Sequence, residues 1–298
     1  MGRLRPSLRS GLAMTDMRKI NTKKVTEAVR KLVMDANTRL RPDIKDALTR
    51  ALKIERKASA KNILKQLIEN AKIASKESLA ICQDTGMAVI FAEVGQDVAL
   101  EGADIRRAIN DGVRLGYKDG YFRNSVVDGP FTRKNTRTNT PAIIHMDIVK
   151  GDRVKITALP KGFGCENKSA VKMFDPTSDI GDIEDFVLDT VKRAGADACP
   201  PFIVGIGIGG TMDYACLLAK KALLVKCKNQ RSKTKDIVSK LEGRLLARIN
   251  RLNIGPMGLG GKTTALCVNI LTYPTHIAGL PVAVNIGCHA TRSAGMMI

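Results

Sequence analysis

The apolar residues of this chain change their spacing once, and that change limits what it can fold into. In the first third they recur at helical intervals. Val25–Leu40 reads as a helix, ended by Pro42, which blocks helical continuation and biases the residue before it toward extended geometry. Asp43–Arg56 and Ser59–Ala74 read as two more amphipathic helices, the second with Ser59 as its N-cap. Beyond them come short β-branched runs alternating with helical ones. Met87–Val94 reads as a strand and Asp104–Tyr117 as a helix, and Ala142–Val149 with Arg153–Leu159 reads as a hairpin around Lys150-Gly151-Asp152. Asp182–Ala194 returns to helix. Phe202–Val204 is a strand entering a Gly-rich turn before the helix Ala215–Leu224, Asp236–Arg251 is a basic amphipathic helix, and Ala265–Ile270 and Pro281–Ile286 are late strands. With no internal repeat and no long low-complexity linker, the expected fold is mixed α/β: a helical N-terminal section followed by a mixed β-sheet flanked by helices. Residues 1–20 are expected to form a disordered leader and 21–298 a single domain. Residues 1–15 carry Arg3, Arg5 and Arg9 without an acid, a faint likeness to a transit peptide, and Met14 and Met17 are alternative starts.

Charge narrows the partners. Forty-nine Lys and Arg against 29 Asp and Glu leave a net +20. A surplus of that size attracts anions: nucleic acid, a membrane surface, small acids or an acidic protein. Aromatics make up 4% and Trp is absent, which argues against stacking platforms for single strands. No zinc-finger, helix-turn-helix or RNA-binding motif accompanies the charge, so a basic nucleic-acid-binding protein is the remote alternative. No apolar run is long enough to span a bilayer. The seven cysteines are odd in number and widely spaced, with no signal peptide. A disulfide framework is not expected, and a reducing, cytoplasmic setting is.

Two glycine runs imitate nucleotide sites. Gly205-Ile206-Gly207-Ile208-Gly209-Gly210 satisfies G-x-G-x-x-G after an apolar strand, but the stretch about 20 residues on, where a ribose-binding acid belongs, holds Lys226, Lys228 and Arg231. Gly258-Leu259-Gly260-Gly261-Lys262-Thr263 looks like a phosphate loop, but Pro256 stands where the first glycine is required.

The chemistry-bearing strings lie elsewhere. In chain order they are Ile81-Cys82-Gln83-Asp84-Thr85-Gly86, Pro160-Lys161-Gly162-Phe163-Gly164-Cys165-Glu166-Asn167, Cys199-Pro200-Pro201 before the 205–210 glycines, Asn253-Ile254-Gly255-Pro256-Met257-Gly258, and Gly287-Cys288-His289-Ala290-Thr291-Arg292 shortly after His276. Together, from about residue 20 to the end, they resemble the α-type part of class I fumarases and L(+)-tartrate dehydratases, the oxygen-sensitive iron–sulfur hydro-lyases.

That resemblance implies a [4Fe-4S] cluster held by Cys82, Cys199 and Cys288, each in or beside a turn that can aim a thiolate into a cavity. Cys216, Cys227 and Cys267, on helix- or strand-like segments, are expected to be small buried hydrophobes. The open iron of such a cluster acts as a Lewis acid on a leaving hydroxyl. The resemblance further implies Asp84 beside the substrate hydroxyl, Arg123 on a carboxylate through its guanidinium fork, backbone N–H groups from Gly162 and Gly164, and His276 hydrogen-bonded to substrate. His145 is expected to be structural and His289 to help position its neighbour. Cys165 departs from the family pattern, which has serine there.

The implied function is an α subunit hydrating fumarate reversibly to (S)-malate, as in the tricarboxylic acid cycle. L(+)-tartrate dehydration to oxaloacetate is the alternative. The family's catalytic threonine and distal carboxylate clamp lie in a β-type part that this sequence, ending soon after Cys288, does not include. A separate β subunit in an α2β2 assembly is therefore expected.

Overall fold

The structure, a computed structural model, describes residues 17–227 and 236–298. In chain order the elements are β1 (Arg18–Asn21), α1 (Thr22–Thr38), α2 (Pro42–Ile54), α3 (Ala58–Glu77), β2 (Met87–Gly95), β3 (Val98–Glu101) and α4 (Ile105–Asp119). There follow β4 (Ile143–Val149), β5 (Val154–Lys161), the single turn α5 (Phe163–Glu166), β6 (Ala170–Phe174), α6 (Ile180–Ala194), β7 (Phe202–Gly210), α7 (Met212–Ala222), α8 (Ile237–Arg251), β8 (Ala265–Thr275), β9 (Leu280–Gly287) and β10 (Ala294–Met297). The protein is mixed α/β, but its strands form two four-stranded sheets, β10-β5-β2-β4 and β6-β9-β7-β8, with a small parallel pair β1-β3.

The helices form where the apolar stripe and the cap agree. α1 buries Val25, Val29, Leu32 and Val33 on one face, and α4 and α6 start at Asp104 and Asp179, whose carboxylates accept backbone N–H groups of the first turn. Pro42 opens α2 at a position where its missing N–H costs nothing. Ser59 is not a cap: α3 begins one residue earlier, after Lys57, and the Ser59 hydroxyl is buried without a partner.

The expected hairpin is absent. β4 and β5 are both present, yet β2 lies between them, parallel to β4 and antiparallel to β5. The reason is burial. β2 is covered from Ala88 to Ala92, whereas β4 has no buried residue. The more apolar strand takes the centre, and the 150–152 turn crosses its end, with Gln96 N donating to Val149 O and Asp97 N to Gly151 O. The leader also needs correction. Residues 1–16 lie outside the described residues, but 18–21 are β1, fixed by pairing with β3 and by Ile20, which is buried.

Both glycine decoys resolve physically. The 205–210 run is not a turn but the body of β7. A Cβ on Gly205 would stand 2.3 Å from the Ala219 carbonyl oxygen and one on Gly207 2.1 Å from that of Ala215, so these glycines let α7 lie flat on the sheet. The 258–262 run has its N–H groups taken internally: Lys262 N donates to Glu55 Oε2 (2.7 Å), Gly261 N to Asn253 Oδ1 (2.8 Å) and Gly260 N to Ile254 O (2.8 Å). A carboxylate of the protein sits where a phosphate would.

Two cysteine expectations fail. Cys227 and Cys267 are buried as expected, but they form a disulfide that joins the end of the α7 segment to β8. They are brought together because β8 and α2 close over the same apolar cluster as Leu223 and Ile203. Cys216, on α7, is exposed rather than packed.

Candidate active site

Three turns from distant parts of the chain meet where the β5–β2 end of one sheet faces the β9–β7 end of the other. They enclose a cavity of about 170 Å³ lined by Cys82, Asp84, Gly162, Gly164, Cys165, Cys199, Cys288 and Arg292, among others. The first turn follows α3. Ile81 N donates to Asn37 O (2.9 Å) and its carbonyl accepts from Asn70 Nδ2 (2.9 Å), so Cys82 leaves a segment pinned on both sides. The second holds Cys199 in the left-handed region, φ 55° and ψ 63°. A side chain there is strained, and such strain gathers at sites that need a particular orientation. The third follows β9, where the Cys288 carbonyl accepts from Thr291 N (2.9 Å) and Thr291 Oγ1 (2.8 Å). His289 ties the last two turns together, because its Nδ1 hydrogen-bonds the Cys199 carbonyl at 3.0 Å. Its burial pushes its pKa down, which keeps the ring neutral.

Asp84 is fixed between two backbone donors, Gly86 N to Oδ1 (3.0 Å) and Phe163 N to Oδ2 (2.8 Å). Gly162 lies close beside it, where a Cβ would stand 3.0 Å from Oδ2 and press on the carboxylate. Gly86, at φ +74°, has the Lys161 backbone where its Cβ would be. Arg292 is buried, donates to the Asp84 carbonyl and to Asn37 Oδ1 (3.0 Å), and so locks the aspartate's segment to α1.

Beneath the cavity lies a buried charge network that the motif reading missed. The Lys161 side chain, 4% exposed, contacts Cys165 Sγ (3.2 Å), Gly162 O (3.3 Å) and Glu166 Oε2 (3.0 Å). Glu166 also pairs with Lys220 and accepts from Asn285 Nδ2 (3.0 Å). Burial alone would raise the pKa of Glu166, but Lys161 and Lys220 outweigh it and bring it down to about 2. Burial opposes the charge on Lys161, but Cys165 and Glu166 hold its pKa above the ordinary value. Cys165 Sγ donates to the Gly162 carbonyl (3.4 Å), and its pKa is brought down to about 5, first by the nearby Cys288 and then by the Lys161 charge, while Cys288 is pushed upward in return. Cys199 is raised by burial and next by the neighbouring sulfurs of Cys82 and Cys165. The string Lys161–Glu166 was visible in sequence, but nothing local distinguishes a buried lysine from a solvated one.

Asp84, Gly162, Gly164 and the three cysteines all line the cavity, and Cys165 lines it with them. Arg123 and His276 do not. Arg123 is exposed on a loop whose backbone is tied to the site, its carbonyl accepting from Thr85 Oγ1 at 2.6 Å. His276 is exposed in the β8–β9 turn, with Nδ1 accepting from Ala278 N (3.1 Å). His145 stacks on Phe91 at 5.2 Å, as a packing residue would. Among the described residues no three His, Cys, Asp or Glu side chains are placed to grip a single metal ion. Free thiols arranged around a cavity, from turns rather than from helices, are instead a donor set that fits a larger thiolate-bound iron–sulfur group.

Comparisons with known proteins give the chain's family. Residues 26–297 match the family described as Fumarate hydratase (Fumerase). A Methanocaldococcus jannaschii protein, provisionally named L(+)-tartrate dehydratase subunit alpha, is 44% identical over 277 residues, covering 91% of this chain and 96% of that one. The L(+)-tartrate dehydratase subunit alpha of Escherichia coli K12 is 29% identical over 278 residues, 92% of this chain and 91% of its own. With the match running through every segment that builds the cavity, the chain belongs to the fumarate hydratase (Fumerase) family and is a hydro-lyase of its class I, α-type branch.

Proposed function

We propose that this chain is the α subunit of an iron–sulfur hydro-lyase that removes water from, or adds it to, a four-carbon dicarboxylate. The observation that carries the reading is the meeting of Cys82, Cys199 and Cys288 around one cavity with Asp84. L(+)-tartrate, dehydrated to oxaloacetate, is the favoured substrate, because the relatives from M. jannaschii and E. coli carry that name. Reversible hydration of fumarate to (S)-malate is the second reading, favoured by the family's description.

Cys82, Cys199 and Cys288 are the residues that would hold a [4Fe-4S] cluster. When bound, it supplies a Lewis-acidic iron for the hydroxyl that leaves or enters. The chain's own contribution is orientation. Asp84 keeps free lone pairs on both carboxylate oxygens after accepting its backbone bonds, so it can hold the proton of a substrate hydroxyl. The Gly162 and Gly164 backbone lines the same space and offers N–H groups to a carboxylate. Arg123 and His276 are the proposed remaining contacts to substrate, acting from exposed positions.

The names of the relatives support a partner, since each is a subunit alpha. The proposed partner is a β-type subunit in an α2β2 assembly, supplying the base and the distal carboxylate clamp. No helix among the described residues is long and apolar enough to cross a membrane. A cytoplasmic setting, a single catalytic domain that takes in β1 from Arg18 onward, and the absence of any nucleic-acid role complete the proposal. The test is anaerobic reconstitution with the β-type partner and rate comparison on L(+)-tartrate, malate and fumarate. Tartrate should be the best substrate. Turnover of malate and fumarate with none of tartrate would shift the assignment to the second reading, and activity on none of the three would remove both.

A further inference from the structure

We propose that the cleft between α2 and α8 is a second binding site, built for a small carboxylate on a short aliphatic body. It is separate from the cavity of the cysteines, and the inference stands whether or not the iron–sulfur reading does.

The cleft holds a cavity of about 270 Å³, larger than the one lined by the cysteines, and the two share no lining residue. Three segments enclose it: the second half of α2, the C-terminal half of α8, and residues 263–266, which lead into β8. Ala47, Ala51, Leu246 and Leu266 make its walls apolar. Apolar walls with a few convergent polar groups are the usual make-up of a small-molecule site.

The polar groups here are those an anion engages. Thr263 lines the cavity at 5% exposure, and its Oγ1 is buried with no hydrogen-bond partner. Buried hydroxyls are nearly always bonded, because an unmet one keeps its full desolvation cost. A ligand oxygen is the partner it lacks. Asn250 also lines the cavity and is held in one orientation, since Oδ1 accepts from Thr264 N (2.8 Å) and Ala265 N (2.9 Å). Its Nδ2 donates to no described residue, which leaves that donor for a ligand. Arg50 and Lys53 stand one turn apart on α2, both exposed, and neither pairs with an acid among the described residues. None of the described residues lining the cavity is acidic, so nothing within it cancels those two charges. Two unpaired cations beside two uncommitted polar groups suit a carboxylate, and the apolar walls suit the short chain that bears it.

The test is isothermal titration calorimetry on the full chain at neutral pH, with butyrate as the probe and butylamine and inorganic phosphate as comparators. Butyrate should bind saturably, phosphate clearly more weakly for want of an apolar body, and butylammonium not at all. Arg50→Ala/Lys53→Ala changes two exposed side chains and should weaken butyrate about tenfold or more, as loss of charged hydrogen bonds does. Thr263→Val keeps the shape and removes the hydroxyl. It should weaken butyrate severalfold, while the thermal midpoint without ligand is no lower than that of the unmodified chain, because the group removed has no partner. Asp84→Asn, in the other cavity, should bind butyrate as the unmodified chain does. Absence of saturable butyrate binding overturns the proposal, as does an affinity that the Arg50 and Lys53 substitutions leave unmoved. Binding abolished by Asp84→Asn would place the carboxylate in the cysteine cavity instead. Phosphate or butylammonium binding as tightly as butyrate would remove the assigned ligand class.

Discussion

Of the four thiols that line the cavity, Cys82, Cys199 and Cys288 come from chain positions separated by more than a hundred residues in one interval and nearly as many in the next, yet each stands on a turn pinned by its own backbone bonds. Single substitutions should therefore act on the group they hold rather than on folding. Cys82→Ser, Cys199→Ser and Cys288→Ser should each lose iron on anaerobic reconstitution, while Cys216→Ser, exposed on α7, should keep it. Iron retained in full by any of the first three would remove that residue from the donor set. Glu166 gives a second expectation at this scale. Its pKa falls from 4.5 to about 2 in the folded chain, so the unfolded chain binds that proton more readily. The stabilisation is fully present above pH 4.5 and is lost as pH falls through about 2, and at one pKa unit per ~1.4 kcal/mol it amounts to roughly 3 kcal/mol. Glu166→Gln should be less stable at pH 7, with a shallower loss of stability between pH 4.5 and pH 2 in chemical denaturation. Equal slopes for the two proteins over that range would show that the lysines do not hold the carboxylate as described.

At the scale of elements, two contacts decide how the second sheet carries the site. α7 rests on β7 through Gly205 and Gly207, where a Cβ would fall within 2.3 Å of helix carbonyl oxygens. Gly207→Ala should displace α7 and cost roughly 1–3 kcal/mol, the usual range for overpacking, visible as a lowered midpoint in urea. A midpoint equal to that of the unmodified chain would mean the helix has slack the structure does not display. The Cys227–Cys267 disulfide closes a 40-residue separation that includes α8. The chain-entropy relation assigns such a loop about 4 kcal/mol at 25 °C. Cys267→Ala, compared with the oxidised chain, should lower the thermal midpoint while leaving iron uptake intact, since the bridge is not part of the cavity lining.

For the molecule as a whole, the cavity holds Asp84 and the cysteines, whereas Arg123 and His276 stand exposed outside its lining. Tyr121 and Phe131, on the Arg123 loop, are each 96% exposed, and Ile277, beside His276, is 90% exposed. Apolar side chains this bare next to the proposed substrate contacts fit surfaces completed by a partner. The isolated chain, even loaded with iron, should therefore be a poor catalyst. The β-type partner should raise the rate by about a hundredfold or more, the lower end of what general-base catalysis contributes. Full activity from the loaded chain alone would place the base within this sequence.

Much of this was legible in the order of residues. Helix spacing located α1, α2, α4, α6 and α8, because an amphipathic stripe is a local property, as is the proline or aspartate that opens all of these but α1. The strings around Cys82, Cys199 and Cys288 marked the candidate donors, and the resemblance they carry named a family that the comparisons then bore out. What tertiary structure alone decided was pairing. Ala142–Val149 and Arg153–Leu159 look like neighbours, but a strand from fifty residues upstream is more apolar than either and takes the place between them. Gly205–Gly210 looks like a turn until α7 lies against it. Cys227 and Cys267 look like separate packing residues until two strands and two helices bring them together. Lys161 looks like any surface lysine, since its burial, its contact with Cys165 and its pairing with Glu166 depend on the turn at Gly162 and the packing of α7. Periodicity, caps and turn residues act over a few positions and are written in the sequence. Which strand is central, which thiols meet and which charge is buried follow from the burial of apolar surface across the whole chain.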